Sequence, residues 1–358
     1  MDFRFLSLLA FAAVFLTACS EPPASEPSRN AVATEEAAEE SPDDGPKQAA
    51  SKSGLASKSA PVAGPRIWSE VTLHEAIRSA NPGYSGNGQF QIDPSGQVQA
   101  IALDNCGVTD LSPFAGMQLQ ALYLLGCAVP DIDALAGMPL VELYLEQTGV
   151  TDLGPLEGTI TLRKLYLSDT DVSDLTPLYG LPIVEMNLVN TQVKKLDSLR
   201  GMPLQMLWLT GSPIEDVSGL SESPLVSVTL HKTNVTDLSP FSNTGLQRLH
   251  IGETPVTDLS PLAGMRLTRL VFDPEKITKG MEAVKAMPTI TQIGRKFEDG
   301  NNDLAPPAVF WPSLAPPAAP GEDNAAAPPT QAPAAESETP WAEAGGGNGK
   351  AKSDESLL

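Results

Sequence analysis

Four stretches of the chain hold an aspartate in nearly the same setting: GVTDLSPFAGM from Gly107, GVTDLGPLEGT from Gly149, NVTDLSPFSNT from Asn234 and PVTDLSPLAGM from Pro255. A carboxylate in a recurring motif can act as a general base or as an oxygen ligand for calcium. The same side chain can also accept backbone N–H groups inside a turn, which requires no ligand. Three histidines (His74, His231, His250) and two mid-chain cysteines (Cys106, Cys127) complete the candidates for metal or nucleophile chemistry. No H-E-x-x-H, G-x-S-x-G or phosphate-binding glycine loop accompanies them. The expectation is a non-enzymatic protein with no cofactor and no metal.

The spacing of apolar residues decides what positions these groups. The pattern L-x-x-L-x-L recurs with its third apolar residue at Leu103, Leu124, Leu145, Leu167, Leu188, Leu209, Leu230, Ile251 and Phe272, at intervals of 21 residues with a single interval of 22. Each copy ends in an alternation, which reads as a short strand with its leucines on one face. A single copy cannot cover that face, whereas parallel stacking buries the leucines in one column. Over residues 98–275 the pattern resembles bacterial leucine-rich repeats of the short, internalin-like kind. The resemblance implies an α/β-type solenoid: a curved leucine-rich-repeat array with a parallel sheet on its concave side, a face that usually binds protein.

Asp110, Asp131, Asp152, Asp174, Asp216, Asp237 and Asp258 then share one repeat position, which Lys195 and Lys279 take in two other copies. Lys195 would interrupt a metal ladder, so turn chemistry is the reading. The Ser of Leu-Ser-Pro is expected to cap a short helical turn, with Pro at its first position. Cys106 and Cys127 fall where later copies carry Thr148, Thr170, Thr191, Ser212, Thr233 and Thr254. The family uses small polar residues there to bond inward-facing backbone groups. A ladder of this kind is favoured over a disulfide, which an oxidising compartment would permit but parallel side-chain vectors fit poorly.

The outward strand positions hold the binding candidates. One column runs Ala102, Tyr123, Tyr144, Tyr166, Asn187, Trp208, Thr229, His250, Val271, and the neighbouring outward positions include Met206, Arg248 and Arg269. Aromatic side chains offer large, rigid contact area. Tyrosine pairs also stabilise a sheet by ~0.2–1 kcal/mol each with no ligand. His231 and His250 are expected diagonally on adjacent strands as solvated face residues. Glu142, Arg163, Lys164 and Glu185 read as cross-strand charge pairs.

Both ends of the array need covers. Over residues 66–97, Thr72 and Glu75 fit a capping box, with Leu73, Ala76, Ile77 and Ala80 on one helix face. A hairpin turning at Asp93-Pro94-Ser95-Gly96 follows. Over residues 276–312, Met281, Val284 and Met287 suggest a helix, Ile290 and Ile293 a last degenerate strand, and Phe310 and Trp311 a lid on it. This segment resembles the terminal cap of arrays in some bacterial kinase-like and surface proteins, although no kinase signature occurs.

At the N-terminus, Arg4 precedes the apolar run Phe5–Phe15, too short to span a bilayer as a helix. The run ends in Leu-Thr-Ala-Cys at Leu16–Cys19, which resembles a bacterial lipobox and implies a signal peptide over 1–18 and acyl chains on Cys19. Each buried CH₂ of such chains contributes ~0.8 kcal/mol to membrane anchoring. Ser20 implies sorting to the outer membrane. Residues 19–65, an acidic tether, and 313–358, a Pro/Ala-rich tail, contain too few large apolar residues to fold and are expected to be disordered. A net charge of −21, from 44 acids against 23 bases, argues against nucleic acid. The expected protein is a monomeric, lipid-anchored envelope module whose concave face docks an unknown protein of the envelope or cell surface. Glycan or peptidoglycan binding through the same stripe, or a passive envelope spacer, are the alternatives.

Overall fold

The computed structural model describes residues 67–298 and 301–314, so the signal peptide, Cys19, the tether and the tail beyond 314 lie outside the described residues. The first helix of the described residues, α1 (Glu70–Ala80), buries Leu73 and Ile77. Its capping box sits one turn earlier than expected. Thr72 N donates to Ser69 Oγ at 3.3 Å and Ser69 N donates to Thr72 Oγ1 at 3.0 Å, so Thr72 is the third helical residue and Glu75 plays no part. Asn81 ends the helix and ties it to the array. Its amide donates to Ile77 O and Asp110 O, and its Oδ1 accepts from Thr109 N and Asp110 N at 2.8 Å each. A buried amide left unpaired would cost ~1–3 kcal/mol; here all its strong contacts are made.

β1 (Gln89–Ile92) pairs antiparallel with β2 (Val98–Ala102). Asp93 holds the turn between them, its Oδ1 accepting from Ser95 N and Gln97 N. From β2 to β11 successive strands pair in parallel: β3 (Ala121–Tyr123), β4 (Glu142–Tyr144), β5 (Lys164–Tyr166), β6 (Glu185–Asn187), β7 (Met206–Trp208), β8 (Ser227–Thr229), β9 (Arg248–His250), β10 (Arg269–Val271) and β11 (Gln292–Gly294). The eleven strands follow one another in sequence order. The middle residue of each three-residue strand points inward and lies opposite its neighbour: Leu122, Leu143, Leu165, Met186, Leu207, Val228, Leu249, Leu270 and Ile293. Each is at most 1% exposed. The chain is a leucine-rich-repeat solenoid.

Opposite the sheet, each repeat makes a single 3-10 turn, such as Ser112–Phe114 and Thr176–Leu178, whose last residue plugs the core. Among the described residues, α-helices occur only in the two end covers. The aspartates explain why these turns form. Asp110, Asp131, Asp152, Asp174, Asp216, Asp237 and Asp258 each accept the backbone N–H two residues on, at 2.6–2.8 Å. The carboxylate, not the following Ser, therefore satisfies the first free N–H, and the Ser occupies the first helical position with Pro second. These bonds hold several carboxyls below their ordinary range: Asp174, Asp237 and Asp258 through the hydroxyl and then the amide of Thr176, Ser239 and Ser260, and Asp110 chiefly through the Ser112 amide. A carboxyl depressed in the folded state stabilises above its unfolded pKa of about 4, and that contribution disappears as pH falls through the folded value. The urea midpoint is thus expected to hold level from about pH 7 to 5 and drop below about pH 4. Asp174→Asn/Asp237→Asn/Asp258→Asn should flatten that acid limb; an unchanged acid limb would show that the turns contribute nothing to it.

After β10 the pattern gives way to the C-terminal cover: α2 (Met281–Lys285), β11, a small hairpin of β12 (Phe297–Glu298) and β13 (Asn301–Asn302), and α3 (Pro307–Ser313). Ile293 and Ala305 exchange both backbone hydrogen bonds at 2.9 Å, which occupies the outer edge of β11. Phe310 is buried with its ring 6.1 Å from that of Phe272. No helix among the described residues is long and apolar enough to cross a membrane.

Candidate functional site

Two columns of outward side chains cross the concave sheet, because residues first and third in each strand point away from the leucines. In the first half of the third-residue column, strand spacing stacks the rings. Tyr123 and Tyr144 lie 4.6 Å apart at 16°, and Tyr144 and Tyr166 4.5 Å apart at 19°. Tyr166 then leans toward Trp208 across Asn187, at 6.1 Å and 35°. The phenols are anchored as well: Tyr123 Oη donates to Glu142 Oε2 and Tyr166 Oη to Glu185 Oε2, both at 3.0 Å. Burial first, and then the adjacent carboxylates, push both phenol pKa values far up. Lys164 Nζ completes the network 3.1 Å from Glu142. Glu142 and Lys164 thus form a cross-strand charge pair as expected, whereas Glu185 is engaged by the Tyr166 hydroxyl instead of an opposite charge. Arg163 also departs from that expectation: its guanidinium donates to the carbonyls of Ile160 and Leu162.

The second half of the face is built differently. Met206, Trp208, Arg248, His250, Arg269 and Phe297 line a shallow pocket of about 230 Å³. Arg248 and Arg269 stand directly opposite each other on β9 and β10. Arg269 donates through Nε and Nη2 to Gln292 Oε1, at 2.8 and 2.6 Å, and its guanidinium lies 4.6 Å from the centre of the Phe297 ring. Burial, and next the charge of Arg248, lower the Arg269 pKa.

The histidines differ from expectation. His250 ends β9, whereas His231 lies two residues past the end of β8, and both are buried rather than solvated, at 6% exposure. Their rings stack 4.6 Å apart, and His231 Nε2 is 3.1 Å from Glu253 Oε1. Among the described residues, no group of three or more His, Cys, Asp or Glu is placed to hold a metal ion. Cys106 and Cys127 are free, buried thiols. The hydroxyls of Thr148, Thr170, Thr191, Thr233 and Thr254 bond the carbonyl three residues back in their own repeat. Cys127 Sγ and Ser212 Oγ instead reach the carbonyl of the preceding repeat, Leu103 and Leu188. The small-residue ladder is real, and it has two bonding patterns.

Sequence reasoning thus placed Tyr123, Tyr144, Tyr166, Met206, Trp208, Arg248 and Arg269 on one face and missed Phe297 and Gln292. These two belong to the C-terminal cover, outside the 21-residue phase, and only the path of the chain after β11 carries Phe297 over Arg269.

Solved structures similar to this chain include an internalin (inlF) from Listeria monocytogenes, 19% identical over 63% of this chain and 89% of its own, with a TM-score of 0.43. An internalin C2 (inlC2) from the same organism is 21% identical over 58% of this chain and 95% of its own, at 0.49. The functional domain of InlJ, also from Listeria monocytogenes and described as including a cysteine ladder, is 14% identical over 55% and 48%, at 0.41. No protein-family model matches the chain, and no curated protein matches it.

Proposed function

We propose that this protein is an envelope-bound docking module whose concave sheet binds another protein. The observation that carries the reading is the division of that sheet. The tyrosine half is locked by stacking and hydrogen bonds, while the half around Met206 and Trp208 forms a pocket walled by apolar and cationic groups. Buried aromatic and arginine anchors of this kind dominate protein interfaces. The same geometry weighs against a glycan. A sugar ring packs on an open aromatic face, and the Tyr144 ring has a tyrosine within 4.6 Å on either side. Attachment through acylated Cys19 to a bacterial outer membrane, with residues 19–65 as tether, belongs to the same proposal and rests on the lipobox-like Leu16–Cys19.

Site-specific photocrosslinking in cells tests the docking reading. Benzoylphenylalanine replacing Met206 on the concave sheet should capture a discrete protein, whereas the same group replacing exposed Lys194 on the turn side should not. Identical products from both sites, or none from Met206, would remove the concave face from consideration. Radiolabelled palmitate should enter the wild-type chain and not Cys19→Ser; label in both would reject the anchor.

A further inference from the structure

Charges on the concave sheet obey one rule in its first half and break it in the second. Across β4, β5 and β6, directly opposed positions alternate as Glu142, Lys164 and Glu185. Opposite charges in this relation stabilise a sheet and like charges destabilise it. Arg248 and Arg269, also directly opposed, carry the same sign. Neither forms an ion pair with a carboxylate among the described residues. The acids nearest in sequence are engaged elsewhere: Glu253 with His231 and Lys232, Asp273 with Lys276. Arg248 Nε is buried and has no hydrogen-bond partner. All this occurs in a chain of net charge −21, where acids outnumber bases almost two to one. Two facing guanidiniums cost stability where no counter-charge sits between them, and among the described residues only neutral groups, Gln292 and Phe297 beside Arg269, offset it.

We propose that Arg248 and Arg269 together form a carboxylate-reading centre that takes an aspartate or glutamate side chain from an acidic segment of the docked protein. The proposal deepens the docking reading and rests on it. A carboxylate between two guanidiniums gains charge-assisted hydrogen bonds and removes their mutual repulsion. Phe297 and Gln292 hold the Arg269 fork in place before binding, which lowers the ordering cost. Met206 and Trp208 on one side, and Val271 and Phe297 on the other, supply apolar walls for the residues flanking that carboxylate. A segment alternating acidic and apolar residues fits this chemistry.

The test uses the full chain and a fluorescent hexapeptide of alternating leucine and aspartate, with anisotropy as the readout up to millimolar concentration. The control peptide carries asparagine for aspartate, and an oligogalacturonate and inorganic phosphate are assayed as competitors. The aspartate peptide is expected to bind at least about tenfold more tightly than the control, with affinity falling as salt rises. R248Q/R269Q should lose that preference. R248Q alone should keep or raise the unfolding midpoint, because it removes a repulsion, whereas a purely structural arginine would lower it. R248K/R269K keeps the charge without the fork and should recover only part of the preference. Equal affinity for the two peptides, no binding at millimolar concentration, or an undiminished preference in R248Q/R269Q overturns the proposal. So does binding of oligogalacturonate or phosphate alone. Failure of the docking reading looks different: the crosslink at Met206 is then absent altogether, whereas here it persists and is insensitive to R248Q/R269Q.

Discussion

Leu165→Asp is expected to divide the array. Leu165 is fully buried at the centre of β5, between Leu143 and Met186 of the neighbouring strands. Truncating such a side chain to alanine costs about 2–5 kcal/mol through lost transfer energy and the cavity left behind. An aspartate adds an uncompensated carboxylate at a position where every neighbour is apolar, so the cost should exceed that range. Domains of ordinary stability have about 5–15 kcal/mol to lose. In a solenoid the damage follows nearest-neighbour coupling. The repeats on either side of β5 should therefore unfold separately, giving a broadened or two-step urea transition and fast amide exchange around Leu143, Leu165 and Met186. Leu165→Met copies the residue that β6 already uses at this position and should cost less than about 1.5 kcal/mol. A single, sharp transition for Leu165→Asp within about 1 kcal/mol of wild type would contradict the stacked-column account of stability.

Gly280→Ala should unseat the C-terminal cover. Gly280 has φ 79°, and a Cβ there would lie 2.1 Å from Ser260 N and 2.3 Å from Leu259 C. Both obstacles are backbone atoms, so no side chain can swing aside. The left-handed conformation costs a non-glycine residue about 1–2 kcal/mol, and overpacking typically adds about 1–3 kcal/mol. Gly264 provides the control: its φ is also 79° and nothing stands within 4 Å of the would-be Cβ. Gly264→Ala therefore reports the backbone term alone, and the excess in Gly280→Ala reports the collision. The loss should concentrate where the cover meets the array, because Leu259 N bonds Lys279 O at 2.9 Å immediately before Gly280. Amides of Leu270 to Phe272 should then exchange faster than those of Leu122 to Leu124. Equal effects of the two substitutions would show that the loop simply moves away.

The repeat phase was legible because it is a property of inward side chains, and inward side chains are constrained by the stack. The same logic recovered the strand assignments, the outward columns and the turn role of the aspartates. The reading failed where contacts are made out of phase. Capping depends on which of several Ser and Thr residues precedes the helix, and Ser69 competes with Thr72 only once the backbone is known. His231 was placed as a face residue by counting, yet the chain has already left the strand at Thr229 and turns its ring onto His250. Phe297 has no periodic address at all. The candidate site was thus half legible: its arginines and tryptophan obey the repeat, and the ring that positions Arg269 does not.

The single 22-residue interval leaves the pairing untouched: Lys164 still faces Glu142, and Leu165 still faces Leu143. The extra residue is absorbed in the loop near Ile160, which stays exposed. The concave sheet therefore behaves as a ruler graduated in steps of about 4.8 Å, one per strand. Loop variation cannot blur its marks, and only gain or loss of a whole repeat can move one mark relative to another. Trp208 on β7 and Arg248 on β9 are two graduations apart, so any surface that engages both must span about 10 Å across the strands, in addition to the two-residue offset along them.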